Sequence, residues 1–200
     1  MENTKSAIES IMGERGRLRT VHEMLKAALE TEPRDDSFVP FYLAVGTYME
    51  ASMGRLNSED VTMLARLGEK LGVVEPDDAE IIAEVHRRLD GNREHLEKYL
   101  ACTSALKADP QSRSAIEAYE AVSRAYIDYI HNKMGHHAPS TDMARRLFDE
   151  SDWIEIADID ATYFAAESKL YDAVFDARPA NVPLGQSAQE YVDQYRRDKG

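Results

Sequence analysis

Residues 112–137 read SRSAIEAYEAVSRAYIDYIHNKMGHH and show the helical periodicity of this chain most clearly. Apolar side chains recur there every three or four positions, at Ile116, Tyr119, Val122, Tyr126, Ile130 and Met134. An α-helix completes a turn every 3.6 residues, so this spacing places them on one face of an amphipathic helix. The helix is expected to begin at about Ser112. Gly135 or the segment before Pro139 is expected to end the helix.

The same spacing of apolar residues continues along most of the chain. It predicts further helices, over about residues 8–32, 36–56, 59–72, 76–108 and 141–147. A last large helix is expected to begin at Asp152-Trp153 and to end before Pro179. No segment alternates polar and apolar residues over the length that a β-sheet needs.

These elements predict an all-α fold, in which four long helices form an up-down four-helix bundle with additional short helices. Two hundred residues are enough for one domain that buries a substantial core without disulfide or metal support. We expect the bundle to span residues 1–178. Residues 179–200 are interpreted as a linker and a C-terminal tail helix.

The composition excludes some classes of binding partner and predicts the cellular compartment. A formal net charge of −13 argues against nucleic acid and anionic membranes as partners, because both reward clustered Lys and Arg. Cys102 is the only cysteine, so no intramolecular disulfide can form. The N-terminal residues contain no apolar signal-peptide core, and no run of 18 apolar residues occurs. The sequence thus predicts a cytoplasmic protein.

Polar side chains interrupt two of the predicted apolar faces. In the first helix the steps 11, 15, 18, 22 and 25 place Arg15 and His22 among apolar residues. In the last helix Glu167 lies on or beside the apolar face. A charge or an imidazole in such a position needs a partner, because burying it unpaired is costly. These three residues are therefore candidates for an interior site.

Two motifs connect this pattern to a known family. The dipeptide Glu94-His95 and the segment Ala144–Trp153, ARRLFDESDW, resemble parts of the metal-binding region of hemerythrin-like helical bundles. The resemblance follows helix order over about residues 8–175. It implies a bundle whose facing helices direct histidines and carboxylates at a metal such as iron or zinc, with His95 in a ligand position.

The resemblance places other residue types at the ligand positions of the first two helices. Glu14-Arg15 stands where the first helix of the family has Glu-His, and a guanidinium cation cannot ligate a metal. In the second helix residues 56–60 contain no histidine. Glu59 or Asp60 would then be the ligand from that helix.

This chain can be matched to the fourth helix of the family in two registers. Alignment on Ala144–Trp153 puts Asn132 at the ligand histidine, with His136 and His137 at the paired carboxylates. A shift of one residue instead combines His131 with His136 five positions later. In both registers histidines stand where the family has carboxylates.

Two arrangements of the interior follow from this comparison. Three histidine nitrogens and one carboxylate would be enough for zinc or mononuclear iron. The candidate ligands for such a rebuilt site are His95, His131, His136, His137, Glu59, Asp60 and Glu167. Alternatively, Arg15 pairs with Asp60 or Glu167, and guanidinium charge replaces the charge of the metal.

Two functions correspond to these arrangements. The first is a hemerythrin-like protein that binds a metal ion or a small ligand in its interior, with dioxygen chemistry if a bound metal keeps an open position. The second is a metal-free descendant of that fold that acts as an interaction or regulatory module, as a monomer or a homodimer. The sequence does not decide whether the protein is an enzyme.

Overall fold

The computed structural model describes residues 2–72, 75–134, 138–158, 160–184, 187, 189–190, 193 and 197. Within these residues the chain is helical and forms no strand, which confirms the all-α prediction. The helices are α1 (Glu2–Glu30), α2 (Phe38–Leu71), α3 (Pro76–Ala108), α4 (Arg113–Tyr129), α5 (Ala138–Leu147), α6 (Glu150–Ala157) and α7 (Ala161–Asp176). A π-helical segment, Ile130–Met134, continues α4. None of the described helices combines the length and the apolarity needed to cross a bilayer.

Side-chain caps explain where several helices begin. Ser112 is the N-cap of α4 and accepts a hydrogen bond from the main-chain N–H of Ala115. Asp149 and Asp152 form a reciprocal capping box at the start of α6. Asp160 accepts hydrogen bonds from the first N–H groups of α7. Each cap pairs main-chain donors that a helix by itself leaves unpaired.

The second helix is longer than the sequence predicts. Instead of ending near residue 56 and restarting, α2 continues without a break through Asn57 and Glu59. Asn57 Oδ1 accepts a hydrogen bond from Asn92 Nδ2 on α3 at 2.6 Å, and Glu59 is buried beside Arg55. Residue types that commonly cap helices lie here inside α2, Asn57 in a contact with α3 and Glu59 in an ion pair within the helix, so the predicted boundary is wrong.

The predicted last large helix is two helices. Asp158 adopts a left-handed backbone conformation, with φ at 37°, and ends α6. Asp160 then caps α7, which begins at Ala161. Trp153 therefore belongs to α6, where its ring packs edge-on against Phe148 with centroids 5.4 Å apart. The prediction missed this break because Asp158 and Asp160 are isolated polar residues without an accompanying Gly or Pro.

A tyrosine-rich apolar core lies among α1, α2, α3, α4 and α7. Its largest members are at most 1% exposed and include Tyr42, Tyr48, Tyr99, Tyr119 and Tyr126. Val182, beyond the end of α7, is also fully buried in this core. The segment that follows α7 therefore packs against the helices at Val182.

A second, smaller apolar cluster lies near the start of α1 and the end of α2. Its members come from four helices and from the connection between α5 and α6: Ala7, Ile11, Leu67, Met143, Ala144, Phe148, Ile156 and Ala157. Along α1, Glu14 falls between this cluster and the tyrosine-rich core, which begins at Leu18. Along α2, Glu59 falls between them in the same way. The fold thus places a polar layer between two apolar ones.

Candidate functional site

Three glutamates from three helices are buried in this polar layer. Glu14 of α1, Glu59 of α2 and Glu167 of α7 are each at most 4% exposed. Glu14 lies near enough to both Glu59 and Glu167 to interact with each electrostatically. Burial of several carboxylates in one place is unfavourable unless positive charge and hydrogen bonds balance them.

Arg55 balances part of this charge. Its Nε donates to Glu14 Oε2 at 3.0 Å, and its Nη2 lies 3.4 Å from Glu59 Oε1. The same guanidinium donates to the main-chain oxygens of Ala157, at 2.5 Å, and Asp158, at 2.8 Å. Arg55 therefore connects α1 and α2 to the end of α6.

Arg17 balances Glu167. The Arg17 Nε lies 2.9 Å from the Glu167 carboxylate, and Tyr48 donates its hydroxyl to Glu167 Oε1 at 2.9 Å. Tyr163 lies on the other side of this group, with the Arg55 guanidinium 4.7 Å from the centre of its ring. The polar layer is thus held by two guanidiniums, each paired with a carboxylate of another helix.

The pairing is incomplete. Seven buried side-chain oxygens in the described residues have no hydrogen-bond partner, and six of them are in this layer. They are Glu14 Oε1, both oxygens of Glu59, Glu167 Oε2, Ser52 Oγ and the Tyr163 hydroxyl. Two of them, Glu167 Oε2 and Glu59 Oε1, lie 2.9 and 3.4 Å from the guanidiniums of Arg17 and Arg55 without accepting a hydrogen bond. Each unpaired buried polar group costs roughly 1–3 kcal/mol. We call the group formed by Glu14, Glu59, Glu167, Arg17, Arg55, Tyr48, Ser52 and Tyr163 the carboxylate cluster.

The excess of acidic groups changes their proton affinity. Burial and, to a smaller extent, the nearby Glu14 carboxylate raise the pKa of Glu59 to about 8, against the opposing effect of Arg15 and Arg55. Burial also raises the pKa of Glu14, although Arg55 opposes the shift. Within the cluster three carboxylates face two guanidiniums, and with a pKa of about 8 Glu59 is mostly protonated at pH 7.

A groove between α1 and α7 reaches the carboxylate cluster from the surface. It has a volume of about 390 Å³, and Arg17 and Glu167 form part of its wall. Gly13 of α1 and Phe164 of α7 also line it. The groove gives a small molecule access to a buried carboxylate and to a guanidinium at the same time.

The predicted pair between Arg15 and Asp60 is present. Arg15 Nη2 lies 2.5 Å from Asp60 Oδ1, which confirms this contact. The Arg15 side chain is 36% exposed, so the pair lies at the edge of the polar layer and not at its centre. Glu167, the other carboxylate considered as a partner of Arg15, is bound by Arg17 instead.

His22 is buried, as its position among apolar residues predicts. It is 3% exposed, and its Nε2 lies 3.1 Å from the sulfur of Met49. Burial lowers the pKa of His22 to about 3, so the imidazole is neutral at physiological pH. The side chain therefore contributes no positive charge to the interior.

The candidate histidine ligands lie on α3 and after α4. His95 stacks on the rings of Tyr126 and Tyr129, with centroids 6.2 and 4.5 Å away. His131 Nε2 lies 3.7 Å from a Glu23 carboxylate oxygen. Asn132 is exposed. His136 and His137 lie outside the described residues.

No three His, Cys, Asp or Glu side chains in the described residues form a group suited to a metal ion. His95 and His131 are not grouped there with Glu59, Asp60 or Glu167. Glu59 and Glu167 instead form ion pairs with Arg55 and Arg17.

Of the charged members of the carboxylate cluster, sequence reasoning identified Glu59 and Glu167 but missed Glu14, Arg17 and Arg55. One signal was present for Glu14. The buried face of α1 follows positions 7, 11, 14, 18, 21, 25 and 28, which passes through Glu14 and leaves Arg15 at its border. The arginines had no such signal, because their long side chains reach partners 41 and 150 positions away.

Comparison with protein-family models, with curated proteins and with solved structures finds no match for this chain.

Proposed function

We propose that this protein is a hemerythrin-like four-helix bundle that works without a metal and binds a small cationic ligand at the carboxylate cluster. The observation that carries the proposal is the concentration of unpaired buried oxygens in one layer. Four of these six atoms are carboxylate oxygens, which accept hydrogen bonds when ionised and donate none. A ligand that supplies hydrogen-bond donors and positive charge would pair these oxygens.

The balance of charge supports an exchange between a proton and the ligand. Without ligand, a proton on Glu59 removes the excess negative charge of the cluster. A cationic group that binds between the carboxylates supplies the same charge and also hydrogen-bond donors. Binding should therefore release a proton below pH 8 and tighten as the pH rises toward 9.

The donor set favours an organic cation over a metal ion. Arg17 and Arg55 already lie within about 3 Å of Glu167 and Glu14, where they would repel a divalent ion. Nitrogen ligands of the kind that zinc and iron prefer are not part of the cluster. Guanidinium charge in place of metal charge is the metal-free arrangement that the sequence left open.

The test is thermal unfolding and titration calorimetry with defined probes. Methylammonium, guanidinium, Mg²⁺, Mn²⁺, Zn²⁺ and anaerobic Fe²⁺ are compared at pH 7 and pH 9. We expect an organic cation to raise Tm, and its affinity to rise about tenfold between the two pH values, because Glu59 with a pKa of about 8 is mostly protonated at the lower one.

Two variants on α2 localise the effect. Glu59→Gln should abolish the pH dependence of binding, while Glu69→Gln should leave it unchanged because Glu69 is exposed near the end of the same helix. Tight binding of a metal ion with no effect of the organic cations would overturn the metal-free proposal. No response to any probe would overturn ligand binding at the cluster.

A further inference from the structure

We infer that the groove between α1 and α7 binds a small zwitterion of the α-amino-acid type. The inference rests on the proposed function and names the class of ligand more closely. It starts from the fact that the groove presents both signs of charge. Arg17 and Glu167 line it together, and Glu9 contributes a second carboxylate.

In addition to its contact with Glu167, Arg17 can bind the anionic group of a ligand. Its Nε is engaged by the Glu167 carboxylate, and its side chain remains 25% exposed. Within the described part of the chain no acceptor is bonded to its Nη1 or Nη2. These two groups form the fork that binds a carboxylate through two parallel hydrogen bonds. A ligand carboxylate is therefore expected at Arg17.

The other end of the ligand is determined by the acidic residues. Glu167 is 2% exposed and lines the groove, and its Oε2 lies 2.9 Å from Arg17 Nε but accepts no hydrogen bond. An ammonium group has three donors and would bind there with Glu9 alongside. In an α-amino acid the ammonium and the carboxylate are separated by one carbon atom. That separation matches a groove in which Arg17 and Glu167 are in direct contact.

The size and the remaining lining agree with such a ligand. A volume of about 390 Å³ is near the lower end of the roughly 300–1,000 Å³ typical of ligand pockets. Phe164 provides an apolar surface for a side chain, and Ser10 and Ser168 provide hydroxyls. The groove therefore suits a molecule of amino-acid size better than a large cofactor.

Gly13 gives independent support. It lies in the interior of α1, where glycine is an unfavourable residue for a helix. A Cβ at this position would lie 3.7 Å from Arg17 Nη1, which is an ordinary contact, so packing does not require glycine. The lack of a side chain instead leaves the groove open beside the Arg17 fork.

The experiment compares amino acids with analogues that lack one charge. Alanine, serine and leucine are titrated by calorimetry, each beside its amide, which has no carboxylate, and its N-acetyl derivative, which has no ammonium. We expect at least one amino acid to bind, and both of its analogues to bind at least tenfold more weakly. If the amide binds as tightly as the amino acid, the zwitterion inference is wrong while cation binding at the cluster stands. If neither amino acids nor organic cations bind, both proposals fail.

A matched pair of variants tests the location. Gly13→Leu fills the groove without removing any hydrogen bond, so it should weaken amino-acid binding at least tenfold and leave the Tm of the free protein equal or higher. Gly54→Leu is the control, because a Cβ at Gly54 meets nothing within 4 Å. Unchanged amino-acid binding by Gly13→Leu, or an equal loss in both variants, would overturn the groove as the binding site.

Discussion

The tyrosine-rich core and the carboxylate cluster are both buried and both contain many polar atoms, but they differ in how these atoms are paired. In the core, Tyr99 and Tyr119 share a hydrogen bond of 2.7 Å, Tyr119 donates to the main-chain oxygen of Tyr42, and Tyr126 donates to Asn92. Ser123 is the one residue there with an unpaired buried oxygen, against six such atoms in the cluster.

We propose from this difference that the tyrosine-rich core provides stability and that the carboxylate cluster provides binding. The same chain pairs buried hydroxyls closely in one layer and leaves acceptors without donors in the next. Unpaired polar groups lower stability, so their concentration in one layer beside an open groove supports the proposal of a site that a ligand completes. The tyrosine-rich core then serves as the scaffold that holds this site.

The largest expected effect follows from removing Arg55. Arg55→Ala leaves Glu14 and Glu59 buried without their shared cation, and loss of one partner of a buried ion pair costs about 3–5 kcal/mol. Urea unfolding at pH 7 measures it. The control is Arg66→Ala on the same helix, which removes exposed ion pairs and should not change the unfolding midpoint measurably. Equal stability of the two variants would show that the cluster is not held by Arg55.

A pH effect comes next. Glu59 has a pKa of about 8 in the folded protein against an ordinary value of 4.5, so the folded state binds more protons between these values. Protonation of Glu59 therefore stabilises the folded state. This contribution to the free energy of unfolding is fully present below about pH 4.5 and is lost as the pH rises through 8, with a slope of at most about 1.4 kcal/mol per pH unit. Glu59→Gln removes this titration. The difference in unfolding free energy, variant minus wild type, should increase from pH 5 to pH 9, and a constant difference would contradict the raised pKa.

A smaller effect is expected in the tyrosine-rich core. Tyr99→Phe removes one hydroxyl, yet Tyr119 keeps its hydrogen bond to the main-chain oxygen of Tyr42. The loss should be about 1 kcal/mol, the usual net value of one hydrogen bond. Chemical denaturation measures it. A loss above about 3 kcal/mol would mean that the hydroxyl network behaves as a unit and would weaken the contrast with the cluster.

The smallest effect is expected at the edge of the polar layer. Arg15→Ala breaks the pair with Asp60, but both groups retain contact with water, and the pair should be worth less than about 1 kcal/mol. Its contribution should decrease further at high salt. Unfolding at low and at high ionic strength checks both points. A loss as large as that of Arg55→Ala would place Arg15 inside the cluster after all.

Much of the helical structure could be predicted from the sequence. The end of α1 before Pro33, the start of α3 at Pro76 and the start of α4 at about Ser112 agree with the sequence patterns. The errors occurred where a polar residue has two possible uses. Asn57 and Glu59 suit a helix start, but contacts with Asn92 and Arg55 keep them inside α2.

The candidate site was predicted only in part. Glu59, Glu167, His22 and the Arg15–Asp60 pair were recognised as interior or site residues, whereas the two central arginines were not. An arginine side chain can extend across the width of a helix, so its position in the sequence restricts its partner weakly. Which carboxylate it reaches depends on the neighbouring helix.

The sequence by itself determined the helical fold class, most of the helix ends and the acidic character of the protein. These properties depend on interactions within a few residues, such as caps and the 3.6-residue repeat, or on composition alone. Only the tertiary structure decided that Glu14, Glu59 and Glu167 share one layer with Arg17 and Arg55, and that a groove opens beside it. Those contacts join positions as far apart as 150 residues, and they exist only once the helices are packed.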